Sequence, residues 1–357
     1  MTYKETLFFI GKCLTITHEE KNRLEIEQEL KNGQIDWDAV VKVSTAQYVF
    51  PALYCNLKRA GFLSYLPEEL VNYMIHITDL NRDRNQQIIT QAKEINKLLL
   101  ANNITPIFLK GTGFLLQDFY EDIAERMVGD IDFLVSDEEF EKTIEILKKD
   151  NYQSQKGIDR TFLNRHFSKM IKKTKLASVE IHYKMVSKPY HNSFNYTYIK
   201  TAIKKLTDTK IALLSDENQF LMTCFNKQMN DNGQRYKTVS LRSSYDLLLH
   251  SQKINILKVL KEFSHYFTPL NNFLASTFLL CNNPQSITFE DNTLSKKFNK
   301  TQLKYINFPK KETRNRKRWN FFYLHKSRIS VLFKSLYNKN NRTFLFQKIN
   351  QFFKPTQ

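Results

Sequence analysis

Residues that break regular structure are scarce in this chain, which has only eight glycines and eight prolines among 357 residues. Hydrophobic residues make up 41% of the sequence and aromatic residues 13%, which is enough for a globular core and excludes a disordered protein. Because glycine is rare, its distribution is informative. Three of the eight lie close together in the chain: Gly111, Gly113 and Gly129.

Cysteines and long apolar runs are also scarce. The four cysteines (Cys13, Cys55, Cys224 and Cys281) form no CxxC motif, which favours a reducing compartment. No stretch approaches the roughly 18 consecutive apolar residues that a membrane-spanning helix requires. The first apolar run is interrupted by Lys12 and is too short for a signal peptide. These absences predict a cytoplasmic protein.

Positive charge is concentrated at one end of the chain. The formal net charge is +18, but residues 296–357 contain 17 lysines and arginines against a single acid, Glu312. The first 295 residues are nearly neutral, with 37 basic and 35 acidic side chains. Any polyanionic partner is therefore expected to bind the C-terminal segment.

The hydrophobic pattern changes twice along the chain and predicts an α+β fold. Helical periodicity dominates residues 1–102, short β-rich runs alternate with helices over 103–190, and helical periodicity returns over 191–295. We therefore expect a small mixed sheet flanked by N- and C-terminal helical regions, with the basic segment 296–357 as a fourth part. The predicted strands are 104–109, 131–135, 166–173 and 176–185.

Two carboxylates, Asp130 and Asp132, stand one residue apart where the second predicted strand begins. Alternate residues of a strand face the same side, so these acids project together, as do Glu180 and His182 in the fourth strand. If the two strands are neighbours, three carboxylates converge. Such a cluster repels itself unless a cation neutralises it, and hard oxygen ligands suit Mg²⁺. Two Mg²⁺ ions can activate an attacking hydroxyl and stabilise a leaving pyrophosphate.

The stretch 108–114 has features that a phosphate group requires. Gly111 and Gly113 permit a close approach of the backbone at a strand-to-helix turn, and Lys110 supplies positive charge. Arg126 lies four residues before Asp130 and can bind a triphosphate in bidentate fashion. The sequence therefore predicts a nucleotide triphosphate beside the acids.

Together these residues resemble a nucleotidyltransferase family of the DNA polymerase β-like superfamily. The resemblance extends from about residue 47 to about residue 250. It rests on residues 109–111, Tyr120, Arg126, residues 129–135, residues 151–152, His166, residues 180–182 and residues 241–250.

The resemblance implies Mg²⁺-dependent transfer of a nucleoside monophosphate from an NTP to a hydroxyl acceptor. Asp130 and Asp132 are then catalytic metal ligands. Glu180 matches the third catalytic acid, which completes one metal site and helps to deprotonate the acceptor hydroxyl. Residues 110–112 replace the usual glycine-serine motif, so Thr112 takes the place of the serine that contacts phosphate. Neither the NTP nor the acceptor, which can be a glycan, a lipid, a protein or a tRNA, follows from the residues.

Two other functional classes remain open. Metal-dependent glycosyltransferases also use a DxD motif to hold a nucleotide sugar, although in those enzymes apolar strand residues usually precede the acids, and here they follow Asp132. The core can also be a catalytically inactive module whose C-terminal segment does the binding. The presence of three mutually repelling acids counts against inactivity.

Each candidate site residue also has a structural alternative. Glu180 and Lys110 can be solvated side chains at the sheet, and Arg126 can form an ion pair with an acid of the 121–125 stretch. Two nearby side chains are more often packing or hydrogen-bonding residues than ligands: His166 and His182.

The C-terminal segment carries Ile329, Leu332, Phe333 and Leu336 at helical spacing among lysines and arginines. This pattern is typical of a basic amphipathic helix on an anionic membrane, which adds the inner face of the membrane to the predicted localisation. The alternatives are a final helix packed on the core and, through its interleaved aromatics, a helix that binds nucleic acid. No obligate protein partner is evident in the sequence.

Overall fold

The computed structural model describes residues 1–155, 165–187 and 193–352. It has the predicted α+β fold, with a seven-stranded mixed sheet flanked by helices. The helices are α1 (Tyr3–Cys13), α2 (Glu20–Lys31), α3 (Trp37–Ala46), α4 (Phe50–Arg59), α5 (Glu68–Leu100), α6 (Lys110–Leu116), α7 (Phe140–Lys149), α8 (Tyr196–Lys200), α9 (Asp216–Phe225), α10 (Gly233–Tyr236), α11 (Leu241–Ser251), α12 (Ile256–Glu262), α13 (Phe267–Leu280), α14 (Thr293–Asn307), α15 (Pro309–Ser335) and α16 (Lys339–Phe352). Short 3₁₀ turns and one π-helical turn join some of them: Leu63–Tyr65, Ile123–Glu125, Ser264–Tyr266 and Asn226–Asn230.

The sheet is built around two parallel strands at its centre. Its strands are β1 (Ile107–Phe108), β2 (Asp130–Leu134), β3 (Gln153–Ser154), β4 (Met170–Ile171), β5 (Ser178–His182), β6 (Ile203–Lys205) and β7 (Ala212–Leu214). Their spatial order is β3-β4-β5-β2-β1-β7-β6. The β2/β5 and β1/β7 pairs are parallel, and the other neighbours are antiparallel.

The sheet extends further along the chain than the sequence predicts. β6 and β7 lie in the region 191–295, for which only helices are predicted, and β7 pairs with β1. Each has three residues, and all three residues of β7 are buried, so neither shows a visible alternation. The predicted boundary between 190 and 191 falls outside the described residues.

Alternation along β2 and β5 places apolar side chains on one face of these strands and polar side chains on the other, up to Leu134 at the end of β2. Ile131 and Phe133 of β2, with Val179 and Ile181 of β5, belong to one buried cluster with the C-terminal part of α5 and with α7. Asp130, Asp132, Glu180 and His182 occupy the intervening positions. The apolar face anchors the strands and holds the polar residues in place.

Helices from both ends of the chain share a second buried cluster. It includes Leu7 of α1, Leu53 of α4, Leu221 of α9, Leu248 of α11 and Leu274 of α13. The side chain of Asn22 in α2 donates a hydrogen bond to the carbonyl of Cys281, just after α13. The N- and C-terminal helices therefore form one continuous support beside the sheet. All four cysteines are free and buried.

The basic segment is helical over its described part. α14 packs on the body of the protein through buried Phe298 and Ile306, whereas Val331 is the buried residue of α15. Among the described residues, no helix combines the length and the apolar character needed to cross a bilayer.

Candidate active site

Parallel pairing of β2 with β5 brings the predicted acids together. Asp132 is the register partner of Glu180, and Asp130 is the partner of Ser178. Since the apolar residues between them pack into the core, the acids all project from the other face. The expectation that the two strands are neighbours is confirmed.

Three side chains at this face form a group that could hold a metal ion. Asp132, Glu180 and His182 each offer one ligand atom, and these atoms all lie within 4.8 Å of one another. Nε2 of His182 is 2.8 Å from Oδ1 of Asp132 and 3.6 Å from Oε2 of Glu180. His182 is fully buried and the two carboxylates are 11% exposed. Asp130 is not part of this group among the described residues.

Two lysines neutralise the acids. Nζ of Lys110 is 2.6 Å from Oδ1 of Asp132 and 4.0 Å from Oε2 of Glu180. Nζ of Lys169 is 2.5 Å from Oδ2 of Asp130 and 3.6 Å from Oε1 of Glu180. Three carboxylates therefore face two ammonium groups, so the repulsion between the acids is largely offset.

Asp130 lies at the outer edge of this arrangement. Its carboxylate is 30% exposed, and its second oxygen accepts a hydrogen bond from the Ser178 hydroxyl at 2.5 Å. Ser178 and Lys169 thus hold Asp130 in one orientation from two sides. The carboxylate remains the most accessible of the three.

The surroundings favour the ionised form of both inner acids. Burial opposes ionisation of Asp132, but the charge of Lys110 and the hydrogen bond with His182 hold its pKa well below the ordinary range. Burial also opposes ionisation of Glu180, yet His182, His166 and Lys110 lower its pKa despite the charge of Asp132. The two groups are therefore carboxylates at neutral pH, the form that binds cations.

Within residues 110–113, the side chain of Lys110 points into the site, whereas that of Thr112 packs inside the protein. Lys110 has a positive φ of 52° and points its ammonium group at Asp132. Thr112 is fully buried, and its hydroxyl donates to the carbonyl of Asp130 at 3.0 Å. A Cβ on Gly111 would lie 2.8 Å from Val128 Cγ2. The glycine therefore permits close packing of α6 against the segment that precedes β2.

Arg126 is buried and forms an ion pair with Asp246, whose spacing of four residues from Arg242 predicts instead a surface pair within α11. Its Nη2 is 3.1 Å from Oδ2 of Asp246 on α11, and its Nη1 donates to the carbonyl of Met127. The hydroxyl of Tyr120 donates to the other oxygen of Asp246 at 2.6 Å. The three acids of the 121–125 stretch pair with other arginines: Arg59 and Arg82.

His166 approaches the acids from the segment that precedes β4, where it forms an isolated antiparallel bridge with His182. Nε2 of His166 is 4.0 Å from Oε2 of Glu180, and its ring centroid is 4.9 Å from that of His182. Burial and the nearby His182 lower the pKa of His166. Burial also lowers the pKa of Arg165, whereas the negative charges of Asp132 and Glu180 raise it.

Two charged residues of the C-terminal region, Lys227 and Asp231, also have pKa values shifted by burial. Burial raises the pKa of Asp231, and the positive charges of Lys227, Lys110 and Arg242 lower it. Burial lowers the pKa of Lys227 to about 8. The ammonium group of Lys227 lies 3.1 Å from the Thr238 hydroxyl, so this charged group is paired outside the sheet.

Lys169 is the most important residue that sequence reasoning missed. Met170 pairs with Val179 across the β4/β5 hairpin, so Lys169 is adjacent to Glu180. The hairpin turn is closed by a hydrogen bond from the amide of Lys175 to the carbonyl of Lys172. Counting outward from that turn would have paired Lys169 with Ser178, so the register with Glu180 is known only from the structure.

One comparison with known proteins matches the part of the chain that forms this site. No curated protein and no solved structure matches the chain. A family model described as an uncharacterised nucleotidyltransferase matches residues 33–267, which include the strands, the acids and the lysines described above. The match covers about two thirds of the sequence, and the chain therefore belongs to this nucleotidyltransferase family.

Proposed function

We propose that the protein transfers a nucleoside monophosphate from an NTP to a hydroxyl acceptor with the help of Mg²⁺. One observation carries the proposal: three carboxylates of paired parallel strands face two lysines. This arrangement combines oxygen ligands for a cation with positive charge for phosphate. Family membership supports the reaction class.

The donor set fits a divalent cation. Asp132 and Glu180 supply carboxylate oxygens close to one another, and Asp130 adds a more accessible carboxylate. We propose that these acids, joined by His182, hold two Mg²⁺ ions. Bound Mg²⁺ would polarise the phosphate and stabilise the charge of the departing pyrophosphate.

We propose Glu180 as a metal ligand because its carboxylate lies in the group formed with Asp132 and His182, and its pKa is lowered from the ordinary value. An effective base has a pKa near the working pH, whereas this carboxylate is stabilised in its ionised form. In the proposed reaction the acceptor oxygen forms a bond to the α-phosphorus, and the bond from that phosphorus to pyrophosphate breaks. The acceptor proton then leaves to solvent or to a carboxylate that a metal does not occupy.

The lysines are the proposed phosphate-binding groups of the site. The ammonium groups of Lys110 and Lys169 already lie beside the carboxylates of Asp132 and Asp130. Thr112 and Gly111 are proposed to position Lys110, because one is hydrogen-bonded to the Asp130 backbone and the other packs on Val128. Arg126 is proposed to position the start of β2 through its pairing with Asp246.

Calorimetric titration with each of the four NTPs, with and without Mg²⁺, tests the proposal. We expect wild-type protein to bind one or more NTPs only with Mg²⁺, and the Asp130→Ala/Asp132→Ala variant to bind none. A matched control is Glu141→Ala/Glu145→Ala, which removes two exposed acids of α7 and should leave binding unchanged.

Two outcomes would overturn the proposal. Folded wild-type protein that binds no NTP would favour an inactive module, and binding of nucleotide sugars alone would favour a glycosyltransferase. Once a nucleotide is identified, transfer of its labelled monophosphate to candidate glycans, lipids, proteins and tRNA would identify the acceptor.

A further inference from the structure

One face of α15 exposes a row of apolar side chains, which we name the α15 stripe. It consists of Phe322, Ile329, Leu332, Phe333 and Leu336, the last at the helix end. Residues three, four and seven apart lie over one another on a helix. Their exposed fractions are 54, 53, 53, 66 and 77%, respectively. These side chains therefore do not pack on the core, as a final core-packed helix would require.

The same face is basic in the N-terminal half of α15. Lys311, Arg314 and Arg318 precede Phe322 at spacings of three and four residues, and all three are exposed. The segment 296–357 that contains them has 17 basic residues and one acid, Glu312. The face therefore changes from cationic to apolar along the helix, which is about 40 Å long at 1.5 Å per residue.

The opposite face of α15 attaches the helix to the body of the protein. The guanidinium of Arg235 lies 3.6 Å from the ring centroid of Tyr323, and the hydroxyl of Tyr236 donates to Asn320 Oδ1 at 2.5 Å. Val331 is buried on the same side of the helix, and α16 also packs against α15. These contacts point the α15 stripe and its basic half away from the core.

We propose that this face docks on an anionic phospholipid bilayer. Lysine and arginine side chains bind anionic headgroups, while apolar side chains enter the boundary between headgroups and acyl chains. The basic half of the face would contact the headgroups, and the apolar half would enter the boundary with the acyl chains. This proposal is independent of nucleotide transfer.

A second copy of the chain or a nucleic acid would explain only part of this surface. A second copy would bring together two strongly cationic segments, which repel one another. A nucleic acid would pair with the basic half and stack on aromatic rings. It would leave the aliphatic residues Ile329, Leu332 and Leu336 without a role.

Co-sedimentation with vesicles tests the proposal on the full chain. We expect wild-type protein to bind vesicles of phosphatidylcholine mixed with phosphatidylglycerol, and to bind phosphatidylcholine alone far more weakly. Leu332→Glu/Leu336→Glu should reduce binding roughly tenfold or more, because it puts two charges into the apolar layer. The matched control Leu24→Glu/Leu80→Glu changes two other exposed leucines, 58 and 53% accessible, and should bind as wild type does.

Two results would overturn the proposal. The first is wild-type protein that does not bind anionic vesicles, and the second is a stripe variant that binds them as well as the control does. Wild-type protein that binds RNA but not vesicles gives the first result, and so does a protein that binds no vesicles but forms a dimer, seen by sedimentation velocity, that the stripe variant abolishes. Nucleotide titration of the stripe variant separates this question from the proposed reaction.

Discussion

The ammonium group of Lys110 lies 2.6 Å from the Asp132 carboxylate. The backbone also joins the two residues' segments, because the amide of Leu109 donates to the carbonyl of Asp132 at 2.9 Å. A positive φ is uncommon for a residue with a side chain, and Lys110 has a φ of 52°. The fold therefore holds a lysine in an unfavourable backbone conformation where its charge meets the candidate metal cluster.

Replacing this lysine should separate its effects on nucleotide and on metal. We expect Lys110→Met to weaken NTP binding about tenfold, or about 1.4 kcal/mol, because a cation that can bind phosphate is lost. Affinity for Mg²⁺ or Mn²⁺ alone should stay equal or rise, because the ammonium group no longer competes for Asp132. Calorimetric titrations with metal alone and with metal plus NTP measure the two effects.

The control for this experiment is Lys93→Met, which removes an exposed lysine of α5. It should change neither affinity. If Lys110→Met bound NTP as tightly as wild type, Lys110 would be a partner of Asp132 only.

The ion pair between Arg126 and Asp246 gives a second prediction. Asp246→Asn leaves a buried guanidinium without its carboxylate, and breaking a buried pair from one side costs about 3–5 kcal/mol. We expect a decrease of this size in the free energy of unfolding, measured by urea denaturation. Asp83→Asn, at an exposed position of α5, should change it by less than about 0.5 kcal/mol.

A double variant tests the role of Arg126 directly. Arg126→Gln/Asp246→Asn removes both charges, so part of the lost stability should return. If Arg126 acts only through its pair with Asp246, the folded double variant should bind NTP as tightly as Asp246→Asn, in which the pair is already broken. Binding at least tenfold weaker than that of Asp246→Asn would instead show that Arg126 contacts the nucleotide.

The central part of the fold could be predicted because it repeats a simple pattern. Ile131, Phe133, Val179 and Ile181 alternate with polar residues, and alternation both identifies a strand and assigns each side chain to a face. The sequence could not show that β2 and β5 are parallel neighbours. Once the structure establishes the Asp132–Glu180 register, convergence of the acids follows.

The parts that escaped prediction depend on contacts distant in sequence or on very short elements. β7 is a run of three buried residues, which periodicity cannot separate from a helix segment. The Arg126–Asp246 pair joins the approach to β2 with α11, and nothing in the spacing of either residue indicates the other. His182 was predicted in part. The alternation of β5 placed it on the same face as Glu180, but nothing in the sequence placed it in the candidate metal cluster.

A buried histidine in α11 predicts a pH-dependent stability. His250 is fully buried, and neither ring nitrogen has a hydrogen-bond partner among the described residues. Burial, with the nearby Lys253, lowers its pKa from 6.5 to about 3. Between these values the unfolded chain binds a proton that the folded chain does not, so stability falls as the pH falls through this window.

We expect His250→Leu to lose less stability than wild type on acidification from pH 7 to pH 4, since the titrating group is gone. The difference should approach roughly 1 kcal/mol for each pH unit below the ordinary histidine pKa. Urea denaturation at several pH values measures it. His76→Leu, at an exposed position of α5, should follow the wild-type profile, and equal slopes for all three proteins would contradict the prediction.

Gly111 connects the packing of α6 with the position of Lys110. An alanine Cβ there would lie 2.8 Å from Cγ2 of Val128, so Gly111→Ala should destabilise the protein by about 1–3 kcal/mol and displace Lys110. Val128→Ala in the same chain removes the clash and should recover most of that loss. Gly129→Ala is the matched control, because no heavy atom lies within 4 Å of its added Cβ. Urea denaturation measures the free energies of unfolding, and NTP titration of the folded variants tests whether the NTP affinity changes with them. If Gly111→Ala lost stability but kept full NTP affinity, the close packing at Gly111 would support the fold without setting the position of Lys110.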